Sequence, residues 1–229
     1  MTQHFHNELI QLNDLLLTMA SRAETAVRVA TRALIERDDD LAMRVEATDQ
    51  EIDQFEIEID ELAIQLLAKA PLAKDLRLIT VAMKICTDLE RVGDEATTIA
   101  RRALELSQEP QLKDYSDIPR MVTMAMAMMD QALKAFVNED TDSARAVIPQ
   151  DKAVDRLNKQ IHRELSDLMI ENPSHITRCL NLMVISKSIE RIADHAKNIA
   201  EVVVYLCEAT DIRHNTAAVS DAQRSENDI

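Results

Sequence analysis

Eight acidic residues in this sequence stand as four pairs with members four residues apart. They are Asp49 with Asp53, Glu90 with Asp94, Asp151 with Asp155, and Glu190 with Asp194. On a helix, four residues turn through about 400°, so the two carboxylates of a pair leave the axis within ~40° of each other. Like charges at that spacing repel mildly, which makes their repetition informative. Sets of carboxylates without His or Cys suit hard cations such as Mg²⁺, Ca²⁺, Mn²⁺ or iron. Zinc more often takes His or Cys ligands, and the pairs contain neither. The alternative is that these acids are ordinary surface groups, paired with Arg91, Arg191 or a lysine. The chain holds 41 Asp and Glu, so any single pair is unremarkable. Four pairs at matched positions of a repeat put a metal cluster level with the surface reading.

Other chemistry-bearing residues are sparser. Arg91, Arg191 and His195 adjoin the acids and are candidates to support them from behind. His195 follows Asp194 and points partly away from the acidic face. His162 and His175 read as single exposed histidines. Met121, Met124 and Met128 follow helical spacing and read as core. Met126 and Met129 fall off that stripe, which leaves a partner or dimer surface open there. No Gly-rich phosphate loop and no Ser/His/Asp or Cys/His arrangement is present.

The acids need helices to hold them, and the hydrophobic periodicity supplies six. The first stripe is Leu9, Leu12, Leu16, Met19, Ala23, Ala26 and Ala30. The second is Leu41, Val45, Thr48, Ile52, Phe55, Ile59, Leu62 and Leu66, opening after Asp38–Asp40, which can cap it. Pro71 marks its far boundary. The third is Leu78, Ala82, Ile85, Leu89, Val92, Ala96, Ile99, Ala103 and Leu106. A polar stretch with two prolines, Ser107 to Pro119, divides the chain. A Met-rich helix over 118–137 follows. A fifth helix, over about 142–170, has Pro149 inside it, which should kink it or split off its first turn. A sixth opens at Asn172-Pro173. Its stripe runs through Leu182, Ile185, Ile189, Ile192, Ala196, Ile199, Val203 and Leu206, the third helix's positions from Ala82 shifted by one hundred.

The second and fifth helices also align: "DQEIDQFEIEI" (49–59) matches "DKAVDRLNKQI" (151–161) at a shift of 102. The chain is therefore a duplicated three-helix unit. The expected fold is all-α, two tandem pseudo-symmetric antiparallel three-helix bundles. The expected division is 1–107 for the first, 108–117 for the linker, 118–210 for the second and 211–229 for a polar, disordered tail. In each half the two acidic pairs lie on consecutive helices, so side-by-side packing would bring four carboxylates to one patch.

Composition agrees. One glycine, no tryptophan and five other aromatic residues among 229 argue against a β protein. A net charge of −15 repels phosphates and anionic membrane, so nucleic acid is an unlikely partner class, while metal cations or a basic protein face are compatible. Three cysteines inside helical patterns read as reduced thiols of a cytoplasmic protein. No signal peptide and no apolar run of the ~18–20 residues a membrane span needs are visible.

"LERVGDEATTIA" (89–100) and "IERIADHAKNIA" (189–200) resemble the PhoU family, whose repeated motif is close to E-R-I-G-D-H-A, one copy per half. The first copy keeps Gly93 but has Glu95 where His is common. The second keeps His195 but has Ala193 where Gly is common. "KDLRLI" (74–79) and "DIRH" (211–214) resemble further family segments. The resemblance covers nearly the whole chain except the tail. It implies metal clusters, of iron or zinc with manganese or magnesium also considered, on the paired acidic motifs. It implies a non-enzymatic negative regulator of phosphate uptake and phosphate-starvation signalling. The implied partners are the ATPase subunit of the phosphate ABC transporter, a sensor histidine kinase and a second copy in a homodimer, at the inner face of the membrane through these contacts. Two alternatives stand beside it: a ferritin-like metal-carboxylate enzyme, whose Glu-x-x-His motifs the chain lacks, and a metal-free helical adaptor.

Overall fold

A computed structural model describes residues 2–69, 72–112 and 115–212. Its elements are α1 (Thr2–Glu36), α2 (Asp39–Leu67), α3 (Ala73–Ser107), α4 (Asp117–Asn138), α5 (Thr141–Val147), α6 (Asp151–Glu171) and α7 (Ile176–Glu208). α5 and α6 are the expected fifth helix, separated by one 3₁₀ turn over Ile148–Gln150. Pro149 sits in that turn, where its missing N–H and its ring would break a continuous helix. Pro71 and the polar tail from Arg213 lie outside the described residues. Ile212, assigned to the tail from sequence, packs against the core.

Local signals set the boundaries. Asp38 accepts a hydrogen bond from the Leu41 amide at 3.0 Å and caps α2. Asp140 caps α5 through the Ser143 amide at 3.1 Å. Asn172 accepts from the Ser174 amide at 3.0 Å, so the last helix opens with a 3₁₀ turn, Pro173–His175, before α7 proper. The single glycine is not used at a helix end. Arg37, Glu139 and Ala209 take the left-handed conformation instead. Arg37 is held there by its guanidinium, which donates to the carbonyl oxygens of Ser107, at 2.8 Å, and Glu109, tying the α1–α2 turn to the end of α3.

α1, α2 and α3 pack pairwise, as do α4, α5–α6 and α7. The stripes of the first and sixth helices are buried throughout. Those of the second and third are buried except for half-buried Thr48, Phe55 and Leu78. α3 and α7 bury more than a single stripe: Cys86, Gly93 and Ala100 on α3, and Ala193, Ala200 and Val204 on α7, are buried as well. Cys86 lies against Met19 of α1 and Gly93 against Ile52 of α2, while α3 and α7 also pack along each other and form the seam between the halves, with α1 meeting α4 beside them. Met126 and Met129, the off-stripe methionines, are buried too, so that face of α4 belongs to the interior rather than to a free surface.

Candidate functional site

The first cluster forms where α2 crosses close to α3. The contact point is Gly93. A Cβ there would lie 2.9 Å from Ile52 Cδ1 and 3.2 Å from Asp49 Oδ1. Asp49 is therefore held against the neighbouring helix. Burial raises its pKa, helped by the charges of Asp53 and Asp94. The Thr97 hydroxyl pulls weakly the other way, without reaching full hydrogen-bond geometry. Glu90 is raised by burial and by Asp94, against Arg91, with Glu56 and Asp53 adding to the rise. Asp49, Asp53, Glu90 and Asp94 thus share one electrostatic neighbourhood.

Two further acids belong to it. Glu56 is raised by burial and by Asp60, Asp53 and Asp94. Glu56 and Asp60 lie seven and eleven residues after Asp49, within ~20° of its direction on α2. That spacing was available in the sequence and continues the row Asp49, Asp53. Two arginines act against this group: Arg91, with Nε 3.3 Å from Glu90 and a terminal nitrogen 3.2 Å from Asp94, and Arg101, whose charge weakly opposes the rise at Asp49.

The second cluster sits at the matching place on α6 and α7. Asp194 is raised by burial and by Asp151 and Glu190, against Lys197, with Asp155 adding to the rise. All four predicted acids of this half are again together. Here, however, lysines reach in. Lys197 Nζ lies 3.1 Å from Asp151 Oδ2, and Lys187 pairs with Glu190. Burial lowers the Lys197 pKa, but Asp151, Glu201 and Asp194 more than offset this and hold it charged. Asp151 is 5% exposed, and its other oxygen is buried without a hydrogen-bond partner. Asn158 and His162 occupy the positions equivalent to Glu56 and Asp60. Asn158 Oδ1 and His162 Nε2 are buried and unpartnered as well. His162 and His175, read as exposed, are both half-buried.

Arg191 and His195 stand on the seam rather than beside the acids of their own half. Arg191 reaches Glu95 at 3.1 Å. His195 Nδ1 lies 2.8 Å from Asp88, which also accepts from Asn198 at 3.3 Å. Each is one residue, about 100°, around the helix from Glu190 or Asp194, which turns it toward α3. Glu95, a departure from the family motif, and His195, which keeps it, are thus both spent on contacts between halves. The Gly93/Ala193 difference has a steric counterpart. The residue equivalent to Ile52 is Val154, which is fully buried and lacks the Cδ1 atom that crowds Gly93.

An oxygen-rich donor set suits a hard cation chemically. As the side chains stand, several are turned to Arg91, Lys187 and Lys197. Among the described residues no group of three or more His, Cys, Asp or Glu is arranged to hold a metal ion.

The PhoU domain model matches this chain twice, over residues 16–103 and 118–203. The chain belongs to the PhoU family. A phosphate-specific transport system accessory protein PhoU homolog of Pseudomonas aeruginosa is 43% identical over 215 residues, 93% of this chain and 89% of that protein. The crystal structure of PhoU from Pseudomonas aeruginosa superposes with a TM-score of 0.87 at 42% identity, covering 90% of this chain and all of that one. The crystal structure of the phosphate transport system regulatory protein PhoU from Streptococcus pneumoniae gives 0.85 at 28% identity, covering 91% of this chain and 99% of that one. Each PhoU match contains one carboxylate cluster, Asp49 to Asp94 in the first and Asp151 to Asp194 in the second.

Proposed function

We propose that this chain is an accessory regulator of phosphate transport that acts by protein contacts rather than by catalysis, restraining uptake and phosphate-starvation signalling when phosphate is plentiful. The observation that carries the reading is the full-length likeness, in two copies, to proteins named as phosphate-specific transport accessory or regulatory proteins. No helix among the described residues is long and apolar enough to cross a membrane. Contact with a transporter would then run through its cytoplasmic ATPase subunit, and contact with signalling through a sensor histidine kinase. The −15 charge would speed encounter with a basic face on either partner.

Metal binding at the paired carboxylates is part of the proposal. Asp49, Asp53, Glu90 and Asp94 would hold a hard cation in the first half, with Glu56 close by, and Asp151, Asp155, Glu190 and Asp194 are the matching set in the second. A bound cation would supply positive charge where these residues repel one another, and would tie α2 to α3. Iron, zinc, manganese and magnesium remain the candidates. A ferritin-like enzyme is less well supported, because Asp53 and Asp94 are exposed on the outside of the bundle rather than directed into its core. The test is co-purification from the native host. Tagged chain should retain the transporter ATPase or the sensor kinase, and charge reversal on its acidic faces should weaken that. Recovery of neither partner under mild salt would remove the regulatory reading and leave the family assignment intact.

A further inference from the structure

The two carboxylate clusters occupy equivalent positions of a repeat, but their cations differ. At a shift of one hundred, Lys187 and Lys197 correspond to Thr87 and Thr97. The Thr87 hydroxyl is turned back to the Met83 carbonyl of its own helix, at 3.2 Å, and contributes no charge. Thr97 is buried beside Asp49 and is likewise neutral. In the second half the same two positions send ammonium groups onto Asp151 and Glu190. Those two acids are the buried members of their set, Asp151 at 5% and Glu190 at 9% exposure. The outer charge is reduced there as well, because Asn158 and His162 replace Glu56 and Asp60.

A buried carboxylate requires compensation, either from a cation supplied by solution or from a side chain of the protein. The second half has the side chains. A metal entering it would have to displace Lys197 from a contact of 3.1 Å, then leave that partly buried ammonium beside a second positive charge. The first half offers no comparable obstacle: Arg91 approaches Glu90 and Asp94 from the exposed surface, and Arg101, the other cation felt by Asp49, is exposed and turned to Glu46 at 3.5 Å.

We infer that the carboxylate cluster of the second half is closed by the chain's own Lys187 and Lys197 and takes no metal, so that metal binding belongs to the first half alone. This rests on the reading of the first cluster as a metal site, and the experiment separates the two. The full chain, stripped of metal, is titrated with Mn²⁺, and bound metal is counted by elemental analysis and by loss of the free Mn²⁺ EPR signal. Glu90→Gln with Asp94→Asn abolishes binding. Glu190→Gln with Asp194→Asn leaves the wild-type ratio unchanged. Lys187→Thr with Lys197→Thr doubles it. A metal-free arm follows thermal unfolding: Lys197→Thr lowers the Tm without Mn²⁺, and added Mn²⁺ restores it. Halved binding in the Glu190/Asp194 variant, or an unchanged ratio in the double-lysine variant, overturns the inference while the metal reading stands. Binding by none of the proteins refutes the metal reading. In that case the Tm arm still decides whether Lys197 closes the cluster, and an unshifted Tm overturns that too.

Discussion

Replacing Gly93 by alanine tests whether the two halves solve one steric problem in two ways. The new Cβ would stand 2.9 Å from Ile52 Cδ1, 3.2 Å from Asp49 Oδ1 and 3.4 Å from Ile52 Cγ2. Ile52 is fully buried, so its terminal methyl has little room to retreat. Overpacking of this kind costs about 1–3 kcal/mol. Alanine in place of mid-helix glycine returns about 1 kcal/mol. Gly93→Ala alone should therefore lose roughly 0–2 kcal/mol. Ile52→Val alone removes a buried methyl and should lose about 0.5–1.5 kcal/mol. Together they recreate the Ala193/Val154 pair of the second half. The methyl that was crowded is gone, and the new Cβ fills the space it left. The double variant should be more stable than the sum of the singles by about 1–2 kcal/mol, within the range seen for touching residues. Urea unfolding of the four proteins, all stripped of metal, measures this coupling. Additivity to within about 0.5 kcal/mol would refute the account of why one copy has glycine and the other alanine.

Two other expectations follow. Asp49, Glu56, Glu90 and Asp194 have carboxyl pKa values raised first by burial, so each contributes stability that is present below its unfolded pKa and lost as pH rises through its folded one. Metal-stripped protein should gain Tm as pH falls through the raised pKa values of these groups toward their unfolded values of about 4, with a shallower gain in Glu90→Gln; an identical slope in that variant would contradict the assignment. Cys86 is buried against Met19 Sδ at 3.7 Å, and burial pushes its thiol up to about 12. Iodoacetamide at pH 8 should label half-buried Cys207 and spare Cys86 and Cys179 until urea is added, as peptide mass mapping would show.

The fold was legible because each helix carries one long stripe and because the stripes repeat. The eight paired acids were legible for the same reason, since spacing on a helix fixes direction. What escaped was set by contacts between elements. α3 packs on α7 along the seam, and no stripe in either helix announces its partner. That docking sends Arg191 and His195 to Glu95 and Asp88, side chains some hundred residues away in the chain. Met126 and Met129 look free on a helical wheel and are covered in the folded chain, Met129 in a cleft shared with Leu17 and Ala20 of α1. Glu56 and Asp60 were a different kind of omission: they lie on the same face as Asp49, and extending the row by two more turns would have found them. Lys187 and Lys197 become informative only once their ammonium groups are seen on Glu190 and Asp151.

The regulatory claim is tested most directly in the native host by deleting the gene for this chain and measuring phosphate-starvation gene expression in phosphate-rich medium. The account predicts high expression in the deletion strain, restored to repression by the wild-type gene. Normal repression in the deletion strain under high phosphate would contradict it.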